Sequence, residues 1–410
     1  MAKVVVIGAG PAGVIAAAEA AKCGHQVTLL EKNNKIGRKL YITGKGRCNL
    51  TNACDLNTLI KNTPGNGNFL YSTFSRFGTD DIVDYFAQLG VETVVERGNR
   101  VFPVSQKAGD VVDALYRLLK KTGVQLLLQA EVTAMQAFTD PKEVTYRKDG
   151  KEYTIQCDAV IVATGGVSYP QTGSTGDGYQ FAEELGHTLI PAKPSLIPLV
   201  TKESWVKELQ GLSLRNVHVS LYQKEKRIFE EQGEMLFTHY GVTGPLILSA
   251  SSHIRDFDYN NLKLEIDLKP ALTIEQLDAR LQRDFAKYVR KNFSNALDDL
   301  LPQTLIPVIV ALSGIEKDKP VHQITKEERL HLAHLLKNLT VTPTAPRPIA
   351  EAIITAGGVC IKEVNPKTME SKLVPGVYFV GEVLDVDAYT GGFNLTIAFS
   401  TGYTAGNAIF

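Results

Sequence analysis

A chain of 410 residues exceeds what one ordinary hydrophobic core supports, so two or three domains are expected. Its 44 basic and 44 acidic side chains cancel, which excludes a global attraction to nucleic acid or an anionic membrane and leaves only a local basic face open. No apolar run is long enough to span a bilayer, Met1-Ala2-Lys3 leads into a strand, and five scattered cysteines suit reduced thiols, so a cytoplasmic protein without membrane contact, disulfide framework or metal centre is expected.

The chain opens on Val4-Val5-Val6-Ile7, an apolar run that predicts a buried parallel strand. It runs directly into Gly8-Ala9-Gly10-Pro11-Ala12-Gly13 and an alanine-rich helix over 14–22. Three glycines at this spacing let the backbone turn sharply, approach a pyrophosphate and pack the helix on the strand. A second apolar strand, Gln26 to Leu30, delivers Glu31 to where an acid accepts ribose hydroxyls, followed by Lys32. The motif predicts a dinucleotide and leaves NAD or FAD open.

Residues 36–52 are dense in glycine, cations and small polar side chains: Arg38, Lys39, Thr43, Gly44, Lys45, Gly46, Arg47, Cys48 and Asn49. This stretch is expected to be a loop whose spare amides and four positive charges follow an extended phosphate-bearing ligand. Apolar spacing predicts helices over 80–90 and 108–122, with strand and turn between them. Strands follow at 124–128 and 131–135, then a hairpin around Asp149-Gly150. Ala159 to Val162 is a further buried strand, ending in Ala163-Thr164-Gly165-Gly166.

Residues 191–270 show strand-like alternation, as in Val217 to Leu221 and Leu262 to Ile266, and suit a small barrel or sandwich. Residues 271–349 are expected to be largely helical. One helix carries Leu277, Leu281, Phe285 and Tyr288 on one face and Arg280, Arg283, Lys287, Arg290 and Lys291 on another, either a solvated face or a phosphate-contacting one.

Near the C-terminus a short strand ends in Gly381-Glu382, and Asp387 precedes Gly391-Gly392-Phe393-Asn394 at the start of an apolar helix. The strand ending in Ala-Thr-Gly-Gly resembles the second fingerprint of FAD-binding proteins of the glutathione-reductase type, and Gly381-Glu382 the third. With the first glycine motif, these shift the expected ligand to FAD and join residues 1–190 and 350–410 into one bipartite domain.

Arg38 to Leu40, Thr43 to Asn52, Leu236-Phe237-Thr238-His239-Tyr240-Gly241-Val242-Thr243-Gly244-Pro245 and Tyr389 to Asn394 together resemble the BaiN/RdsA-like family of NAD(P)/FAD-dependent oxidoreductases. The resemblance implies an α/β fold: a glutathione-reductase-type FAD-binding Rossmann-like domain with an inserted β-barrel and helical unit. It implies FAD as cofactor and cofactor contacts from Gly8, Gly10, Pro11, Ala12, Gly13, Glu31, Lys32, Arg38, Lys39, Thr43, Gly44, Gly46, Arg47, Cys48, Asn49, Val132, Thr164, Gly165, Gly166, Gly381, Glu382, Asp387, Gly391, Gly392, Phe393 and Asn394. Family members are associated with dihydrouridine formation in large-subunit ribosomal RNA and with bile-acid enone reduction.

No second strand-GxGxxG-helix occurs, so NAD(P)H is expected as a transient reductant without its own Rossmann domain. Reducing a conjugated C=C also needs a proton donor. The expected candidates are Cys48, in the loop that follows the flavin, and His239 and Tyr240, set among glycines. Ribosomal RNA would call for exposed cations at the active-site mouth; a small enone would call for a deep apolar pocket. A non-catalytic FAD-binding sensor is the third class.

Overall fold

The computed structural model describes residues 1–254 and 259–409. The chain begins with β1 (Lys3–Ile7), α1 (Pro11–Lys22), β2 (Gln26–Glu31), α2 (Arg38–Gly46), β3 (Thr51–Asn52), α3 (Leu56–Lys61), α4 (Tyr71–Arg76) and α5 (Thr79–Gln88). It continues through β4 (Thr93–Glu96), β5 (Arg100–Pro103), α6 (Ala108–Lys121), β6 (Gln125–Leu128), β7 (Glu131–Gln136), β8 (Lys142–Lys148), β9 (Lys151–Cys157), β10 (Ala159–Val162), α7 (Asp177–Glu184) and β11 (Leu189–Ser195). The middle comprises β12 (Leu199–Thr201), β13 (Ser213–Gln223), β14 (Lys226–Phe237), β15 (Gly241–Thr243), α8 (Pro245–Ser251), β16 (Leu262–Asp267), α9 (Ile274–Lys287), α10 (Ile306–Ser313), α11 (Lys326–Lys337), β17 (Leu339–Val341) and β18 (Pro343–Pro346). The last elements are β19 (Ile354–Val359), β20 (Val377–Phe379) and α12 (Phe393–Gly406).

Packing divides these elements into two compact units, Met1–Ser195 with the segment from Pro348 onward, and Leu196–Arg347. The first is organised by a parallel sheet of order β20-β10-β1-β2-β6. β1 lies at its centre, with Val6 opposite both Leu29 and Ile161, which is why its four apolar residues are all buried. α12 packs on α1 almost backbone to backbone: a Cβ on Gly402 would stand 2.3 Å from the Ala12 carbonyl oxygen, and one on Gly406 2.6 Å from that of Ala16. Small residues on both helices thus let the last element dock on the first.

The second unit carries an antiparallel sheet of order β17-β16-β13-β14-β15-β12-β18. Its outermost strands are consecutive in the chain, since β17 ends at Val341 and β18 begins at Pro343. The sheet must therefore curl until its two edges meet, as a barrel does. Leu264 and Ile266 of the sheet share one core with Leu277 and Leu281 of α9 and Leu332 and Leu336 of α11.

Two local expectations change. The stretch 36–52 is not all loop: Arg38 to Ile42 turn helical, with Gly37 in the left-handed region before them and Leu40 buried beneath. The helical geometry is lost at Thr43, Gly44 and Lys45. The basic helix is shorter than its pattern, because α9 stops at Lys287 and Tyr288 caps it, so Arg290 and Lys291 lie beyond. No helix among the described residues is long and apolar enough to cross a membrane.

Candidate functional site

The C-terminal ends of β1, β10 and β20 open into a cleft of about 1310 Å³, including its mouth. This is where a parallel α/β sheet places ligands, since chain segments leave its central strands on opposite sides. Gly8 takes φ +100°, and a Cβ there would lie 2.6 Å from the Ala163 carbonyl oxygen. Gly13 packs tighter still, with its Cβ position 1.9 Å from the Gly8 oxygen. Gly10 differs, because a Cβ there would meet nothing within 4 Å. The first and third glycines serve packing, and the second leaves open space before a helix that has no side-chain cap and no acid in its first turn.

Glu31 is buried at the tip of β2. Its Oε2 accepts the Ala9 N–H at 2.8 Å, and its Oε1 accepts both the Asn33 backbone N–H at 2.8 Å and Asn33 Nδ2 at 2.6 Å. The carboxylate is held by main chain, with further lone pairs available for hydroxyl donors. Lys32 turns to Asp177 at 2.5 Å and to Thr175, while Arg38 donates to Asn33 Oδ1 at 2.7 Å.

A second network joins four segments: α2, the turn after β10, β19 and the turn after β20. Lys39 Nζ donates to Glu382 Oε2 at 2.7 Å and to Ser168 Oγ at 2.6 Å. Ser168 Oγ and the Thr355 N–H both donate to Glu382 Oε1 at 2.9 Å. Thr355 Oγ1 in turn accepts the N–H groups of Val167 and Ser168, against Gly166, where a Cβ would stand 2.5 Å from that oxygen. Glu382 thereby ties β20 to the turn after β10.

α12, whose Asn394 and Leu395 line the same cleft, begins uncapped and without an acid in its first turn. Gly391 and Gly392 precede it at φ +119° and +103°, and a Cβ on Gly392 would fall 2.3 Å from the Thr51 carbonyl oxygen. Asn394 fastens the preceding turn, accepting the Ala388 N–H at 2.9 Å and donating to the Ala388 oxygen at 2.8 Å. Asp387 is buried in the same turn and accepts Ser195 Oγ at 2.7 Å. Burial pushes its carboxyl up to about 6, against the Ser195 bond and with help from the nearby Asp385 and Glu382 charges.

Among the expected contacts, Gly8, Gly10, Pro11, Ala12, Glu31, Lys32, Arg38, Lys39, Thr43, Val132, Thr164, Gly165, Gly381, Glu382 and Asn394 line the cleft. Gly13, Gly44, Gly46, Arg47, Cys48, Asn49, Gly166, Asp387, Gly391, Gly392 and Phe393 are not among its lining residues. Arg47 points to Glu96 at 3.0 Å and stacks 4.0 Å over the Phe102 ring. Cys48 is fully buried, and burial pushes its thiol up to about 12 against a Thr43 hydrogen bond. Asn49 Oδ1 is buried without a hydrogen-bond partner among the described residues. Sequence reasoning missed Asn33, Ser168 and Thr355, polar anchors with no motif of their own, and the apolar wall of Ile353, Ile354, Val380 and Val386.

His239 and Tyr240 belong to the second unit, in the turn from β14 to β15. Thr238 closes that turn, its Oγ1 donating to the Gly241 oxygen at 3.0 Å and its N–H at 2.8 Å. A side chain on Gly241 would strike the Leu199 oxygen at 2.1 Å, so the turn sits flush on β12. Its two rings meet edge to face at 4.9 Å, with His239 exposed and the Arg347 guanidinium 4.5 Å over Tyr240.

The open backbone at Gly10, the uncapped start of α1 and the anchored Glu31 fit a phosphate-bearing dinucleotide. The profile described as HI0933-like protein Rossmann domain matches residues 2–408. The chain belongs to this HI0933-like family. Its members are the BaiN/RdsA-like flavin-dependent oxidoreductases that the motifs resemble, and this chain is an oxidoreductase of that kind. A Haemophilus influenzae protein named ribosomal RNA dihydrouridine synthase is 32% identical over 412 residues, 99% of this chain and 98% of the relative. A Clostridium scindens protein named 3-dehydro-bile acid delta(4,6)-reductase is 32% identical over 413 residues, 100% of this chain and 99% of the relative. The solved 3-ketosteroid delta1-dehydrogenase of Sterolibacterium denitrificans superposes with a TM-score of 0.54 at 13% identity, covering 99% of this chain and 98% of that one, a likeness of fold.

Proposed function

We propose that this HI0933-like chain holds FAD in the first unit and uses NAD(P)H to reduce a conjugated C=C, with uridine of large-subunit ribosomal RNA as substrate. The observation that carries the cofactor assignment is the pair of uncapped, glycine-led helix starts, α1 and α12, whose first residues line one cleft. The first suits a pyrophosphate. The second offers backbone amides and a positive dipole end to an anionic ring edge. FAD, when bound, supplies hydride chemistry at its N5.

The chain's own work is to bind, orient and protonate. Glu31 holds ribose hydroxyls, and the Glu382 network fixes the turn after β10. Of the three candidate acids, Cys48 is enclosed and its thiol keeps its proton, which suits packing better than proton delivery. His239, exposed beside Tyr240 in the turn after β14, is with that tyrosine the remaining candidate for proton delivery. His239→Gln or Tyr240→Phe should slow reoxidation of reduced enzyme by substrate roughly 10²-fold or more while reduction by NAD(P)H keeps its rate. Cys48→Ala should leave both half-reactions intact.

The ribosomal-RNA reading draws on the name of the Haemophilus relative. An enone reductase is the second reading, favoured by the equally similar Clostridium relative and by the apolar wall of the cleft. Deleting the gene and measuring dihydrouridine in large-subunit ribosomal RNA by mass spectrometry separates them: the residue should disappear, and an unchanged level sinks the RNA reading. A sensor would leave the bound flavin oxidised with either nicotinamide donor under anaerobic conditions.

A further inference from the structure

On α9 much of the positive charge is spent inside the chain: Arg280 Nε lies 2.8 Å from Asp284, and Lys287 Nζ 2.6 Å from Asp299, to which Tyr288 also donates. The three-stranded sheet of order β7-β8-β9 divides its charges differently between its two faces. On one face Arg147 stands in register with Glu131 of β7 and Glu152 of β9, an acid on either side. On the other face Lys148 stands directly opposite Lys151, and among the described residues neither ion-pairs with a carboxylate. Asp149, in the turn between them, takes φ +50° and pairs with neither. Like charges facing each other across two strands repel, so an anion bound here would relieve the pair.

The same face carries a stack of rings. Side chains alternate along a strand, so Tyr146 lies on the side of Lys148 and Tyr153 on the side of Lys151. Tyr146 and Tyr153 are register partners, and their rings stack 5.4 Å apart at an angle of 20°. Tyr146 is buried in the core with Val144, whereas Tyr153 is 43% exposed. β9 is the edge of this sheet, so no strand follows on the far side of Tyr153. A third flat ring can continue the stack. A nucleobase is such a ring, and the phosphates beside it supply the anion that the two lysines lack.

The row of rings also reaches the cleft. Tyr146 is the register partner of Val132, and Val132 lines the cleft. One row across three strands, Val132, Tyr146 and Tyr153, thus runs from the wall of the cleft to the open edge of the sheet.

We infer that this face of the β7-β8-β9 sheet docks an unpaired segment of the RNA substrate, with a base on Tyr153 and phosphates on Lys148 and Lys151; this rests on the ribosomal-RNA reading above. The test measures binding of in vitro transcribed large-subunit ribosomal RNA to the holoenzyme between about 50 and 200 mM salt. In Lys148→Ala/Lys151→Ala the slope of log affinity against log salt should flatten by about 1.4, the share of two single-strand phosphate contacts. Tyr153→Ala should weaken binding roughly 10-fold at every salt concentration and keep the slope, whereas Tyr153→Phe, which retains the ring, should bind as the wild type does. Arg147→Ala, on the opposite face, should keep the wild-type slope. Thermal unfolding of each variant beside the wild type separates lost docking from lost fold. A wild-type slope in the double-lysine variant, wild-type affinity in Tyr153→Ala, or an equal flattening by Arg147→Ala overturns the inference. If the wild type then makes dihydrouridine, only the docking face falls; if it neither binds this RNA nor makes dihydrouridine, the function reading falls with it.

Discussion

The two helices that point their N-termini at the cleft are built alike and positioned differently. Both follow glycines, lack a side-chain cap and carry no acid in the first turn. α1 is placed by its immediate neighbours in sequence, since Gly13 rests on Gly8 and Glu31 takes the N–H of Ala9. α12 is placed from afar, with Gly392 against Thr51, Asn52 on Gly391, and Gly402 and Gly406 against α1. The first helix start can be written in thirty residues; the second needs the whole first unit.

The comparison breaks hardest at Gly13. Gly13→Val drives Cβ into the Gly8 oxygen, and the apo protein should lose on the order of 3 kcal/mol or more in urea unfolding, together with its flavin. Unchanged stability would mean that α1 is not held by this contact. Gly392→Ala adds both a clash with Thr51 and a left-handed alanine, for a loss of roughly 2–3 kcal/mol. Its effect should centre on α12, leaving hydrogen-exchange protection in β1 and β2 near the wild-type level.

Asp387 makes the distant arrangement pH-dependent. Its folded-state value of about 6 lies above the ordinary carboxyl value, so folding favours the protonated form. Stability from this group is full below about pH 4 and is lost as pH rises through about 6, up to ~2–3 kcal/mol by linkage. Asp387→Asn should flatten that part of the stability-pH curve. A variant curve parallel to the wild type between pH 4 and 7 would remove Asp387 as its source.

The smallest stability effect belongs to Gly10. Gly10→Ala should change apo stability by less than about 0.5 kcal/mol, because its Cβ meets nothing, yet it should weaken flavin binding, read by titration of the apo protein. Equal affinity would show that no ligand approaches this backbone.

These contrasts explain what was legible. β1, α1 and β2 could be read because strand, turn and helix pair within thirty-one residues and each rule is local. The helices at α5 and α6 and the hairpin of β8 and β9 followed from periodicity for the same reason. The stretch from Arg38 to Asn49 was harder: its glycines and cations suggested a loop along a phosphate, whereas Leu40 is buried under a helical turn, Arg47 goes to Glu96 and Cys48 joins the core. The pattern names residue types, whereas a partner such as Glu96 lies 49 residues from Arg47.

By itself, the sequence determined which segments turn, which alternate and which bury, and its motifs carried the family. Tertiary structure alone decided that Lys39, Ser168, Thr355 and Glu382 share one network, that α9 spends its charge on Asp284 and Asp299, and that Asn52 joins the β4–β5 turn to the start of α12. The reason is physical. Backbone conformation and burial are set largely by neighbours in the chain, whereas a hydrogen bond or an ion pair depends on which distant groups the packed core brings within about 3 Å.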